Sequence, residues 1–246
     1  MLRTIFKWLK NITRCILLAT ICIAILLSTL QIFHKNKGES KSLGSTRNGK
    51  LVNGYLVPYS GTNYCYFSLL SYYVLGDAYT NSQLAATIAD AYQECETTCP
   101  GICFRLMECS AKNGGKMLMH YTHQNGLSID FMTPLIKNGK PIKTYDRLGL
   151  LRYQLFFDAN GRLNSHKDAA IDFETVAKHI VALDNAARKH GLAIQKVILK
   201  IDLKDDLFKT ASGKELLKRG IYFAHALPPG INAVHGNHYH IDFKVL

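Results

Sequence analysis

The chain has 246 residues, 48% of them hydrophobic, and a formal net charge of +12. That length and apolar content supply one well-cored domain plus a short extra segment. The first 37 residues hold six basic and no acidic side chains, which leaves 24 basic against 18 acidic residues in the rest. So thin an excess suits a solvated surface or an anionic polymer, and it excludes the dense, aromatic-interleaved basic stripe of a nucleic-acid binder.

Cys15 to Phe33 is almost wholly apolar and about as long as a helix needs to be to cross the hydrocarbon layer. Arg3, Lys7, Lys10 and Arg14 precede it, and positive flanking charge of this kind keeps an N-terminus cytoplasmic. We read residues 1–14 as a cytoplasmic basic tail and 15–33 as a transmembrane signal anchor. The rival, a cleaved signal peptide, lacks a clear small-residue cleavage site. Residues 34–49, rich in Lys, Gly, Ser and Asn, read as a linker, which leaves 50–246 as the folded domain.

Leu51 to Tyr59 reads as an opening strand and turn, and the aromatic stretch from Tyr64 to Leu75 as core or cleft lining. From Asn81 to Cys95, Leu84, Ala85, Ile88, Ala89 and Tyr92 recur at helical spacing, with Asn81 or Ser82 as N-cap. Beyond the anchor lie Cys65, Cys95, Cys99, Cys103 and Cys109. An oxidising compartment predicts disulfides among the last four, with one of the five left over. Alternation of Ile102, Phe104 and Leu106 predicts a short strand.

Asn138-Gly139 and Asp158-Ala159-Asn160-Gly161 are turn signals. An apolar stripe from Phe173 to Ala187 predicts a helix over 172–190, capped by Asp172 and stopped by Gly191. A strand over 195–203, a helix over 205–219 and a Pro228-Pro229-Gly230 turn follow. Helices mixed irregularly with short strands predict an α+β fold, a small antiparallel sheet with flanking helices.

Three of the ten histidines, His235, His238 and His240, fall within six positions near the C-terminus. Tyr239, Ile241 and Phe243 alternate with His238, His240 and Asp242, the pattern of a half-buried strand carrying imidazoles on one face. A hydrolytic zinc site takes three protein ligands and keeps one position open. His123 and Asp130 supply two of the three, with Gly126 permitting the bend between them. On spacing alone the third can be His235, His238 or His240. His120 is either an outer neighbour of the site or a strand residue. Asp242 shares the His240 face, where it either orients an imidazole or, the plainer reading, is an ordinary exposed strand acid.

The H-x6-D pattern of His123 and Asp130, followed much later by the H-x-x-H-x-H of His235, His238 and His240, resembles the penicillin-insensitive murein endopeptidases. These belong to the lysostaphin-type and D-Ala-D-Ala zinc peptidases. The resemblance covers Gly114 to Pro134 and Val197 to Phe243, under half of the chain. It implies one Zn2+ held on the sheet face by His123, Asp130 and His240, with His238 as general base. His235 would orient the water or stabilise the developing oxyanion.

The implied substrate is the peptide cross-link of peptidoglycan, chiefly the D-alanyl to diaminopimelyl bond. The implied location is the inner membrane, single-pass, with the catalytic domain in the periplasm. A carboxypeptidase or dipeptidase of the same zinc group, or a non-catalytic wall-binding domain with structural zinc, are the alternatives. The chain departs from the family at Ser128, where members commonly carry an acid two residues before the metal aspartate, and this bears on bond specificity.

Overall fold

One helix, α1 (Leu2–Ile32), opens the chain in the computed structural model, which describes residues 2–118 and 120–246. Its stretch Phe6–Ile32 is long and apolar enough to cross a membrane, and the most apolar 18-residue window within it has a mean hydropathy of 2.5. The basic residues read above as a separate tail are its first turns. The expected linker is also structured. Lys41–Gly44 and Gly49–Val52 pair antiparallel from Lys41↔Val52 to Gly44↔Gly49, and the Ser45 hydroxyl accepts from the Asn48 N–H at 3.0 Å to close the turn. A hairpin this polar has no apolar alternation to announce it.

The remaining elements build a mixed α/β domain. In chain order its chief elements are β1 (Ser60–Gly61), β2 (Tyr64–Tyr66), α2 (Ser82–Thr98), β3 (Phe104–Leu106), β4 (Ser128–Met132), α3 (Phe173–Lys189), β5 (Leu192–Ile198), α4 (Lys204–Lys209), α5 (Ala211–Lys218) and β6 (His238–Val245). The strands form one six-stranded sheet in the order β5-β6-β4-β3-β2-β1. Neighbours are antiparallel except β2 and β3, which run parallel because α2 carries the chain back between them. The all-antiparallel expectation therefore fails at that one pair. A second sheet of four short strands includes Leu135–Lys137 and Lys140–Ile142. They are joined by Asn138-Gly139 with both φ positive, as a tight hairpin turn demands.

Helix signals hold well. The Asn81 side chain accepts from the Gln83 N–H at 2.9 Å and starts α2. Asp172 accepts from the Thr175 N–H at 3.1 Å and starts α3. Gly191, at φ +71°, ends α3 and feeds β5 directly, so that strand begins at Leu192 rather than 195. The single helix expected over 205–219 is two helices, because Thr210 is extended and caps α5 by accepting from the Gly213 N–H at 3.0 Å.

Register is what positions the site. β6 lies against β4 with His240↔Asp130, His238↔Met132 and Asp242↔Ser128. One face of this pair presents Tyr239, Ile241, Phe243, Ile129 and Phe131, all buried, and α3 packs there alongside α2. The opposite face carries Ser128, Asp130, His238, His240 and Asp242, and these are buried too. The half-buried strand is thus covered on both sides as far as Phe243.

The disulfide expectation is not met: all seven cysteines are free. Cys95 is buried on the last turn of α2 and Cys99 at its C-cap, whereas Cys109 is buried beside the loop that carries His123, where its carbonyl meets that residue.

Candidate metal centre

Cross-strand register makes Asp130 and His240 direct neighbours. His240 Nδ1 lies 2.7 Å from Asp130 Oδ1, and His123 Nε2 lies 3.1 Å from His240 Nδ1 and 3.4 Å from Asp130 Oδ1. His120 Nδ1 approaches the other carboxylate oxygen at 3.5 Å. His120, His123 and Asp130, with one ligand atom each and all within 4.8 Å of one another, could hold a metal ion. His120 therefore belongs to the donor group itself, a role its sequence context left open. It is also the solvent-facing member, with 18% of its side chain exposed, while the others are buried.

The loop that delivers His123 is tightly specified. His123 itself has φ +68°, and Gly126 has φ +78°. A Cβ on Gly126 would come within 2.7 Å of the Leu51 side chain and 2.9 Å of the Asn81 nitrogen, so glycine is required there for space as well as for conformation. The Ser110 hydroxyl donates to the His123 carbonyl at 2.5 Å and accepts from the Gly126 N–H at 3.1 Å, pinning both ends of the bend.

Outer partners fix the imidazole tautomers. His123 Nδ1 donates to the Cys109 carbonyl at 2.5 Å, which turns the Nε2 lone pair towards Asp130. His240 Nε2 donates to Asp242 Oδ1 at 2.8 Å, which leaves Nδ1 facing the same point. Asp242 is held in turn by the Ser128 hydroxyl at 2.6 Å and the Lys196 ammonium at 2.8 Å. The plainer reading of Asp242 as an exposed acid is thus corrected: it is buried and orients a candidate ligand imidazole, the carboxylate–histidine arrangement of metal sites. Ser128, the point of departure from the resembled family, serves that same carboxylate.

The electrostatics favour a cation. Burial alone would raise the Asp130 carboxyl, but His123 and His240 hold it well below the ordinary carboxylate range. Burial would lower His240, yet Asp242 and Asp130 lift it to about 9. A field of two carboxylates that draws positive charge to this point is one a divalent ion would satisfy. The donor set of imidazole nitrogens and one carboxylate, with these atoms already aimed at one point, fits zinc in chemical type once the His240 proton is displaced.

His235 and His238 stand beside the group with ring centroids 4.6 Å apart. His238 Nδ1 donates to Asn237 Oδ1 at 2.7 Å, and the Asn237 amide nitrogen is committed to the Leu155 carbonyl at 3.2 Å, which sets the amide's orientation. His235 Nδ1 donates to the Ile231 carbonyl at 2.6 Å. Burial, with each other's proximity adding for His238, holds both below the ordinary histidine value. Each is a neutral imidazole with an Nε2 lone pair to offer.

All five residues singled out from sequence come together here, and three others join them unannounced. Arg152, fully buried, donates to the Thr133 carbonyl at 2.7 Å and to the Asn237 carbonyl at 3.4 Å, bracing the turn that enters β6. Tyr153 sets its ring edge-on to His238, centroids 5.4 Å apart. Its hydroxyl shares a 2.6 Å hydrogen bond with Glu108, whose carboxyl is pushed up to about 8 by burial and by Asp130. Arg152 and Tyr153 come from a short 3-10 segment, Gly149–Gln154, with no pattern that marks it as part of a site. No protein-family model matches the chain, and no curated protein matches it significantly.

Proposed function

We propose that the chain is a membrane-anchored zinc peptidase that hydrolyses the peptide cross-links of peptidoglycan, chiefly the D-alanyl to diaminopimelyl bond. The observation that carries this reading is the convergence of His120, His123, Asp130 and His240 beside two neutral, unprotonated-Nε2 imidazoles. A structural metal site needs no free base next to it; a hydrolytic one does. The substrate class rests on the H-x6-D and H-x-x-H-x-H resemblance, and the location on α1 as a single-pass inner-membrane anchor with the domain in the periplasm.

In this reading His123, Asp130 and His240 hold the zinc, with His120 at the mouth of the site. Zinc, when bound, lowers the pKa of water to near 7 and polarises the scissile carbonyl. The chain's own residues then manage the proton. His238, with its Nδ1–H committed to Asn237, accepts a proton from the attacking water at Nε2 and returns it to the leaving amine. His235 offers the neighbouring Nε2 and orients the water or steadies the developing oxyanion. No acyl-enzyme forms, so reagents that trap serine acyl-transferases leave this activity untouched.

The test is incubation of purified full-length protein in detergent, with and without chelator, on cross-linked muropeptide dimers. Conversion of dimer to monomer that stops with chelator supports the reading. Release of terminal D-alanine alone assigns the chain to the carboxypeptidase branch, and binding without turnover reduces it to a wall-binding domain.

A further inference from the structure

The join between α1 and the domain is rigid, and it fixes a depth. From Cys15 to Ile32 the helix carries no charged residue. Along that stretch Ala24, Ser28 and Gln31, spaced to share one face, are the residues not fully exposed. α1 packs there on a single π turn, Ser71–Leu75. Gln31 is buried and accepts from the Tyr79 hydroxyl at 2.9 Å. The His34 ring lies edge-on to Tyr79 with centroids 5.1 Å apart. The Asn36 side chain takes both the N–H and the carbonyl of Leu56, at 2.7 and 3.1 Å. Three contacts within six residues leave little freedom at this joint.

Arg14 is the last charge before the apolar run. A hydrocarbon layer of about 30 Å takes roughly 20 helical residues, so counting from Arg14 it ends near residue 34. The Ala24–Gln31 stripe then lies in the outer half of the bilayer, and whatever packs on it lies at that depth. What packs on it is suited to lipid. No charged residue occurs between Lys50 and Asp77. Leu69, Leu70 and Leu75 are 62%, 49% and 52% exposed with no protein to cover them. Backbone groups of the turn are satisfied internally, through Tyr72 N–H to Ser68 O at 3.0 Å and Gly76 N–H to Ser71 O at 3.0 Å, as an apolar medium requires.

We propose that the Leu69–Leu75 segment is immersed among the acyl chains of the outer leaflet beside α1, so that the domain is docked on the bilayer rather than suspended above it. This rests on the anchor reading of α1. Docking also sets the height of the metal centre: Tyr79, which holds Gln31, pairs with Ser110 in both directions at 3.0 and 2.7 Å, and Ser110 grips His123. The centre is thereby confined to substrate close to the membrane surface.

Trp8 is the single tryptophan and lies on the polar side of Arg14, so Leu18→Trp, inside the apolar run, reports on the anchor instead. The experiment reconstitutes the full-length chain in phosphatidylcholine vesicles whose lipids are brominated just below the carbonyls. It compares Leu18→Trp with Leu70→Trp and Leu75→Trp, each in a Trp8→Phe background and each checked for native circular dichroism. Immersion predicts that the position-70 and position-75 reporters lose as much emission to the brominated lipid as the position-18 reporter does, and resist aqueous iodide. Reporters at 70 and 75 quenched by iodide and untouched by bromine, with the position-18 reporter still quenched by bromine, overturn the docking and leave the anchor standing. A position-18 reporter untouched by bromine overturns both.

Discussion

Two buried histidines, one on each side of the β4–β6 strand pair, have been driven in opposite directions. His240 is lifted to about 9 because Asp242 and Asp130 flank it despite burial. His179, reaching the other face from α3, is pushed down to about 3 by burial alone. It stacks on Tyr92 and Phe104, meets Phe131 edge-on and bonds the Tyr239 hydroxyl at 2.5 Å, with no carboxylate among these neighbours. Burial by itself therefore says little about what an imidazole does. The partners decide it, and the same two strands supply carboxylates to one face and aromatic rings to the other.

Substitutions that remove partners from the polar face test this contrast most severely. Asp130→Ala deletes the carboxylate shared by His120, His123 and His240. Metal analysis of the purified variant is expected to find the ion gone, and the muropeptide assay to find no turnover. Full metal content in that variant would detach Asp130 from the centre. His238→Ala should instead keep its metal and lose about 10²- to 10⁴-fold in rate, the usual contribution of a general base. Turnover within a few-fold of the parent would remove His238 from the proposed proton path.

On the aromatic face the effect should move to stability. Phe131→Ala removes a fully buried ring packed on His179 and Tyr239 and should cost about 3–5 kcal/mol in denaturant unfolding. Metal bound by the fraction that remains folded should be unchanged. Loss of metal affinity in folded protein would mean that the faces are not separable.

How much of this contrast a reader of the sequence could see differs by residue. Alternation from His238 to Phe243 gives the two faces correctly, since a strand has a period of two whatever covers it. It does not say that the polar face is buried, and so Asp242 passes for a surface acid when it is a hydrogen-bonded support of His240. Asp130 is legible from its spacing to His123, and the register with His240 completes it. His120 is legible only as one of two alternatives, and Arg152, Tyr153 and Glu108 are not legible at all. Their roles depend on a loop and a 3-10 segment folding over the sheet, and neither carries a periodic signal. The helices, whose caps and stripes are local, came through nearly intact. The charge-free stretch from Tyr64 to Leu75, which sequence alone assigns only to core or cleft, acquires a further meaning from where α1 rests.

A smaller effect tests the support beneath the centre. Asp242→Ala frees His240 Nε2 and leaves Lys196 and Ser128 without their acceptor. Metal affinity, measured by competition with a chromogenic chelator, should fall about 10- to 100-fold while the ligands stay in place. An unchanged affinity would mean that the tautomer of His240 is fixed by something else.

The smallest expected effect belongs to the aromatic side. His179 has its folded-state pKa near 3 against 6.5 when free, so between these values the unfolded chain binds the extra proton. Stability must then fall as the pH drops through 6.5, and the loss attributable to this residue between pH 6.5 and 5.5 is about 1 kcal/mol. The groups that face it, Tyr92, Phe104, Phe131 and Tyr239, offer no negative charge to relieve a protonated ring, and its Nε2 has no hydrogen-bond partner. Denaturant titrations at the two pH values, run on metal-free parent and His179→Gln, isolate this contribution from the polar face. The parent should lose about 1 kcal/mol more than the variant. Equal losses would mean that the ring finds its charge tolerated in the core, and the contrast between the two faces would then lie in their ligands rather than in their dielectric surroundings.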